Sequence, residues 1–260
     1  MKYTFLQIDI QAKIATITIN RPEVLNALKF EVLGELRDAM LALQDDADVK
    51  VVIITGAGPK AFVAGADIAV MAELGSLEAR KYILAGHETF DLIAGFPKPV
   101  VAAVNGFALG GGCELALSCD FIYAAEHARF GLPEITLGII PGWGGTQRLP
   151  QRIGSGLAKE MIYTGKVIDA AEAKAIGLVN KLFPAEGFLD AVKEELQAIV
   201  SKSIVPLIMA KAAVNTYFDG GGAAGKSMEI QSVCICFSAQ DQKEGMAAFL
   251  QKRKPEFTDK

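Results

Sequence analysis

The chain has 260 residues, enough for a substantial core in one large domain or a domain with a smaller extension. Hydrophobic residues make up 51% and charged residues 22%, a globular balance that argues against disorder. The 26 basic and 30 acidic side chains leave a formal net charge of -4 with no long basic run, which argues against nucleic acid or an anionic membrane surface as partner. The cysteines are Cys113, Cys119, Cys234 and Cys236, with no C-x-x-C pair and only His87 and His127 as imidazoles. No metal site is expected, and the thiols read as reduced cysteines of a cytoplasmic protein. The opening "MKYTFLQIDI" has neither the apolar core of a signal peptide nor the Arg/Ser-rich character of a transit peptide. No apolar run is long and clean enough for a bilayer span.

In chain order, Leu6, Ile8 and Ile10 alternate with polar neighbours, as do Ile17 and Ile19 with threonines. This predicts a hairpin. "NRPEVLNAL" reads as a turn, punctuated by Pro22 and Asn26. Leu28, Val32, Leu36, Met40 and Leu43 then recur at helix spacing, and "VKVVIITG" is a short apolar strand ending at Gly56. The order recurs. "SLEARKYILAGHETFDLIAGF" is helical, "KPVVAAVNG" is a buried strand, "GGGCELALSC" starts a helix and "DFIYAAEHARF" is another strand. Strands alternating with helices indicate an α/β fold. Their arrival in pairs points to a coiled stack of β-β-α units rather than an open dinucleotide-binding sheet. After Gly187 only helical patterns follow, and their many apolar side chains suit either a subunit interface or packing on their own domain.

"DGGGAAGKSMEI", Asp219 to Ile230, matches the phosphate-loop pattern letter for letter at Gly220, Gly225, Lys226 and Ser227. Such a loop needs a buried strand before it. Here the preceding "AKAAVNTYFD" has helical periodicity, and no later apolar run ends in an aspartate. The stretch reads instead as a flexible connection between helices.

Three other stretches carry chemistry. In "GFALGGGCELALSCD", Gly110, Gly111 and Gly112 let a ligand approach the backbone, and the first helical turn offers free N–H groups to an oxyanion. Glu114 sits in that turn, either as a reactive carboxylate or as an ordinary charged helix start. "AFVAGADIAVM" offers a second backbone donor near Gly65; Asp67 either caps the next helix or serves the site. "FGLPEITLGIIPGWGGTQRLP" holds Glu134 among apolar neighbours, where a carboxylate tends to a raised pKa, followed by a tight loop at Pro141, Gly142, Gly144 and Gly145. Two glutamates with two backbone donors suit proton chemistry beside a carbonyl that becomes an enolate.

The segments "NRPEVLNAL", "AFVAGADI", "NGFALGGGCELALSCD", "FGLPEITLGIIPGWGGTQRL", "GLVNKL" and "DQKEGMAAFLQKRKPEF" closely resemble the enoyl-CoA hydratase (crotonase) family over essentially the whole chain. The resemblance implies a crotonase-like spiral of β-β-α units over residues 1–195. A helical trimerisation region over 196–260 is implied with it, assembled as a trimer or a dimer of trimers. It implies hydration of a trans-2-enoyl-CoA, with no cofactor beyond the CoA of the substrate. It assigns the oxyanion hole to the backbone N–H groups of Ala66 and Gly111, roughly 3–4 kcal/mol of transition-state stabilisation each. Glu114 becomes the base toward water and Glu134 the proton donor to the α-carbon, with the two titrating as a coupled pair. Gly142 would donate to the same water, and Ala64, Asp67 and Ile68 would border the CoA, Ala64 and Ile68 through backbone contacts to the adenine. Isomerases of the family generally lack the carboxylate at the position of Glu114, which favours hydration; the runner-up is enoyl-CoA isomerisation or acyl-CoA lyase chemistry. Lysines that some members carry near the CoA phosphates are replaced here by Glu23 and Ala69, leaving Arg21, Lys252, Arg253 or Lys254 for that contact. Trp143, the sole tryptophan, is expected beside the acyl pocket, limiting chain length. A CoA binder without chemistry and a phosphate-loop ATPase are the readings from other classes.

Overall fold

The computed structural model describes residues 3–260. Strands β1 (Leu6–Gln11) and β2 (Ile14–Ile19) form the expected antiparallel hairpin, joined by Ala12 and Lys13, both at positive φ as a two-residue turn requires. Helix α1 (Phe30–Gln44) buries Val32, Leu36, Met40 and Leu43 as their spacing predicts. Leu28 is not part of it. It lies two residues upstream and makes an isolated parallel bridge to Ala66 instead.

The chain then winds through a repeated unit. β3 (Val51–Gly56) and β4 (Ala61–Val63) precede α2 (Ile68–Met71) and α3 (Ser76–Ala94). β5 (Val100–Val104) and β6 (Phe107–Leu109) precede α4 (Gly111–Ser118). β7 (Phe121–Ala125) and β8 (Arg129–Gly131) precede the 3-10 turn Pro133–Leu137, α5 (Gly145–Ile153) and α6 (Ser155–Thr164). "DFIYAAEHARF" is therefore two strands, not one. In each unit the first strand joins a six-stranded sheet ordered β1-β2-β3-β5-β7-β10, and the second joins a four-stranded sheet ordered β4-β6-β8-β9. Alternation between two sheets is what turns β-β-α repeats into a spiral. The added strands are β9 (Val167–Asp169), followed by α7 (Ala170–Ala175), and β10 (Lys181–Phe183). β3 and β5 are buried along their whole length, which explains their uninterrupted apolar runs: parallel strands covered on both faces have no polar side to show.

Helix α8 (Phe188–Val200) covers the outer face of the large sheet, with Phe188, Val192 and Leu196 packed on Ile14, Val51, Ile53, Val101 and Ala103. The boundary expected at residue 195 falls inside this helix, which belongs to the core. The appendage is α9 (Ile204–Ser238) and α10 (Gln240–Leu250). Gly221 alone breaks α9, with φ 78 and ψ 178. The glycine-rich stretch is thus a one-residue kink between two helical halves, not the flexible connection expected. Lys226 lies in a helix with no strand before it. Tyr217, Ile230, Phe237, Phe249 and Leu250 are exposed on these helices, Phe249 at 83%. No single helix among the described residues is long and apolar enough to cross a membrane.

Candidate active site

The site is assembled from four loops that the spiral stacks at one place. The first is the turn after β2. Asn26, fully buried and at φ 60, donates to the carbonyls of Ala57 and Ala61 and accepts the Arg21 N–H. It thereby locks this turn onto the loop before β4. The Leu28 bridge completes the link: Leu28 donates to the Gly65 carbonyl at 2.9 Å and accepts the Asp67 N–H at 2.8 Å. A parallel bridge uses the groups of the residues flanking Ala66, so the Ala66 N–H itself faces the opposite side.

The second loop is the glycine run. Gly110 has φ 52 and ψ -126, a conformation that side chains disfavour. A Cβ on Gly112 would run into the Val63 carbonyl, so close packing of α4 on β4 requires glycine there. Gly111 is the first residue of α4, where the helix provides its N–H no acceptor. A Cβ built on Gly111 lies 3.6 Å from the Ala66 nitrogen, so these two donors, which meet no backbone acceptor among the described residues, are neighbours.

Two carboxylates face the same space. Glu114, one turn into α4, is 2% exposed, and its Oε1 accepts the N–H groups of Trp143 and Gly145, each at 2.8 Å. Burial pushes its pKa up to about 7; the Gly145 and Trp143 donors oppose that rise and the Glu134 charge adds to it. Glu134, in the 3-10 turn, is 9% exposed and is also raised by burial. Its Oε2 is buried with no protein partner among the described residues. A buried carboxylate oxygen without a donor favours the protonated form. A cavity of about 140 Å³ lies between these groups and is bordered by Ala64, Ala66, Gly111, Glu114, Glu134 and Gly142. Two adjacent N–H donors can stabilise a negative oxygen, while two carboxylates of raised pKa can take up and deliver a proton beside it.

The profile of the enoyl-CoA hydratase/isomerase family matches residues 9–260. The chain belongs to this family. It is 50% identical over 260 residues to a crotonyl-CoA hydratase from Syntrophomonas wolfei, covering 100% of both chains. It is 46% identical over 246 residues to a short-chain-enoyl-CoA hydratase from Clostridium acetobutylicum, covering 95% of this chain and 94% of that one. Among solved structures, an enoyl-CoA hydratase from Bacillus anthracis superposes with a TM-score of 0.95 at 40% identity, covering 99% of this chain and 100% of that one.

The other members expected of the enoyl-CoA hydratase site divide between the cavity wall and its surroundings. Asp67 does not border the cavity. Its carboxylate pairs with Arg21 at 3.2 Å and makes no capping bond to α2. Arg21 is equally engaged: it donates to the Ala27 carbonyl and to Asp67, and sits over the Phe5 ring, so it is a brace of the loop rather than a free phosphate contact. Arg253 pairs with Glu244, while Lys252 and Lys254 are exposed. Ile68 is 57% exposed beside the cavity. Trp143 borders the cavity and, at 2% exposed, also forms part of the hydrophobic core.

The apolar walls were not legible in the sequence. Tyr82, Ile83, Leu109, Leu137, Ile139 and Ile140 border the cavity. Tyr82 and Ile83 lie in the middle of α3, where periodicity reveals a buried face but not what it faces. Arg148, in the first turn after the glycine loop, has a role with no signal in the sequence. It donates to the Trp143 carbonyl at 3.0 Å and pairs with Asp91, bracing the loop that holds Glu114.

The described residues contain no group of three or more His, Cys, Asp or Glu side chains able to hold a metal ion.

Proposed function

We propose that the protein is a short-chain enoyl-CoA hydratase that adds water reversibly to a trans-2-enoyl-CoA, giving a 3-hydroxyacyl-CoA. The observation that carries this reading is the meeting of Glu114 and Glu134 on one small cavity with the Ala66 and Gly111 N–H groups. The thioester oxygen accepts from the two N–H groups, which draws electron density from the double bond and stabilises the enolate. Ionised Glu114 removes a proton from water as its oxygen bonds to C3. Protonated Glu134 gives a proton to C2. The water O–H, the Glu134 O–H and the C2–C3 π bond break, one C–O, one C–H and one Glu114 O–H bond form, and proton exchange with solvent resets the two carboxyl groups.

A base with a pKa of about 7 is half ionised at neutral pH while retaining strength to accept a proton. An isomerase needs a single carboxylate to carry one proton between two carbons, so the second buried carboxylate favours hydration. The cavity is small beside common ligand pockets of about 300–1,000 Å³, which supports a short acyl group. The names of the two relatives above point the same way. Ile68, 57% exposed, and Ala64 both border the cavity, which suits contact with the adenine end of CoA. The apolar faces of α9 and α10 support a homo-oligomer, since exposed side chains such as Phe249 and Leu250 are stabilised by a second copy.

The test is loss of the conjugated-thioester absorbance of crotonyl-CoA, with acyl chains of increasing length in parallel. Rapid loss in the parent, reduced at least about 10²-fold in Glu114→Gln and in Glu134→Gln, is expected. A folded, CoA-binding parent that leaves the absorbance unchanged refutes the hydratase.

A further inference from the structure

Trp143 touches both halves of the catalytic apparatus, through different atoms. Its backbone N–H donates to Glu114 Oε1. Its indole runs from α3 to the start of α4. At one end, a Cβ added to Gly86 would overlap the pyrrole edge, with Cε2 at 2.5 Å. At the other end, a Cβ added to Gly111 would overlap the benzo edge, with Cε3 at 2.6 Å. Glycine at both ends lets the ring touch two backbones at once. Tyr82 and Phe90 hold the ring edge-to-face, with centroids at 5.1 and 5.6 Å. Tyr82 in turn donates to the Leu28 carbonyl at 2.6 Å, the residue that bridges to Ala66. One aromatic layer therefore backs both oxyanion donors. The indole Nε1 is buried without a hydrogen-bond partner among the described residues, so the ring is held there by shape.

We propose that Trp143 is a positioning residue: its indole is a rigid spacer that sets the Gly111 N–H against the substrate oxygen, while its backbone sets Glu114. This rests on the hydratase reading above and adds a part to it. A reacting group displaced by about 1 Å loses on the order of 10²-fold in rate, so a spacer that shifts Gly111 affects chemistry more than binding.

The test uses Trp143→Phe and Gly86→Ala. Phenylalanine is too short to reach both glycines. The alanine methyl presses first on the indole, whose atoms are the nearest to it, and Gly86 itself does not border the cavity. Two readouts are compared with thermal stability. The first is kcat and KM for crotonyl-CoA. The second is the enolate fraction of bound acetoacetyl-CoA, read by its absorbance, which reports oxyanion stabilisation without turnover. A fall of about 10- to 100-fold in kcat, with KM within about threefold and a parallel fall in enolate fraction, is expected in both variants. Lower thermal stability with kcat and enolate fraction within about twofold of the parent overturns the proposal. As Trp143 is the sole tryptophan, its emission in the parent chain also reads the contact. Saturating acetoacetyl-CoA is expected to shift it, and unchanged emission overturns the placement whatever the variants do. Failure of the parent to hydrate crotonyl-CoA sinks the hydratase reading instead, so the two failures are distinct.

Discussion

Replacing Glu114 by glutamine should make the protein more stable and inactive at once, and the gain should depend on pH. Burial raises the Glu114 pKa from 4.5 to about 7. The native state thus holds this proton more tightly than the unfolded chain does. Stability associated with the neutral carboxyl is fully present below about pH 4.5, falls as pH rises through the interval, and is lost above about pH 7. At about 1.36 kcal/mol per unit, the ionised side chain costs the fold about 3 kcal/mol at pH 8, and about 1 kcal/mol at pH 5. Glutamine keeps an oxygen for the Trp143 and Gly145 donors and carries no charge. Glu114→Gln should therefore unfold above the parent by roughly 5–10 °C at pH 8, with a difference about one third as large at pH 5. The assay is thermal unfolding of both proteins at equal concentration, because subunit association also moves the midpoint. Parallel profiles from about pH 5 to 8, or a less stable variant at pH 8, would refute the assignment of a buried carboxylate that its two backbone donors only partly compensate. Such a cost is the expected mark of a residue kept for chemistry.

Other outcomes follow from the same geometry. The kcat/KM for crotonyl-CoA should rise with pH through a midpoint near 7, as Glu114 ionises, and a flat profile between about pH 5.5 and 7.5 would remove it as the base. Asn26→Ala leaves the Ala57 and Ala61 carbonyls without their donor and forces alanine to φ 60, so a loss of about 3 kcal/mol or more is expected in denaturant unfolding. A loss under about 1 kcal/mol would show that the turn is held elsewhere. The pair Phe249→Asp and Leu250→Asp should lower the sedimenting mass toward that of one chain; an unchanged mass would mean these side chains lie outside the subunit interface.

The helix face of α1 was legible because one-sided burial writes a period into local sequence, and β3 and β5 because burial on both faces writes an unbroken apolar run. So were the glycines before α4, where backbone must pack closely, and Glu134, a carboxylate set among apolar neighbours. Leu28 misled for the same reason. Its spacing fits α1, but a hydrogen-bonded bridge to Ala66, far along the chain, decides its conformation. The glycine-rich stretch in α9 misled in the other direction: composition predicts a loose joint, and the structure has two helical halves meeting at a kink confined to Gly221.

Arg21 shows the limit more sharply. A cation beside a CoA site reads as a phosphate contact, yet Asp67 and the Ala27 carbonyl claim it once the loops are stacked. Trp143 reads as an obstacle in a pocket, and the fold makes it a spacer between Gly86 and Gly111. The sequence alone determined most of the longer elements, which residues can do proton chemistry and where glycine lets backbones pack, because these depend on neighbours a few positions away. Only tertiary structure decided which donors remain unengaged, which carboxylate is raised to about 7 and which side chains back the site. Those properties depend on desolvation and contact between residues distant in sequence, and no local pattern encodes them.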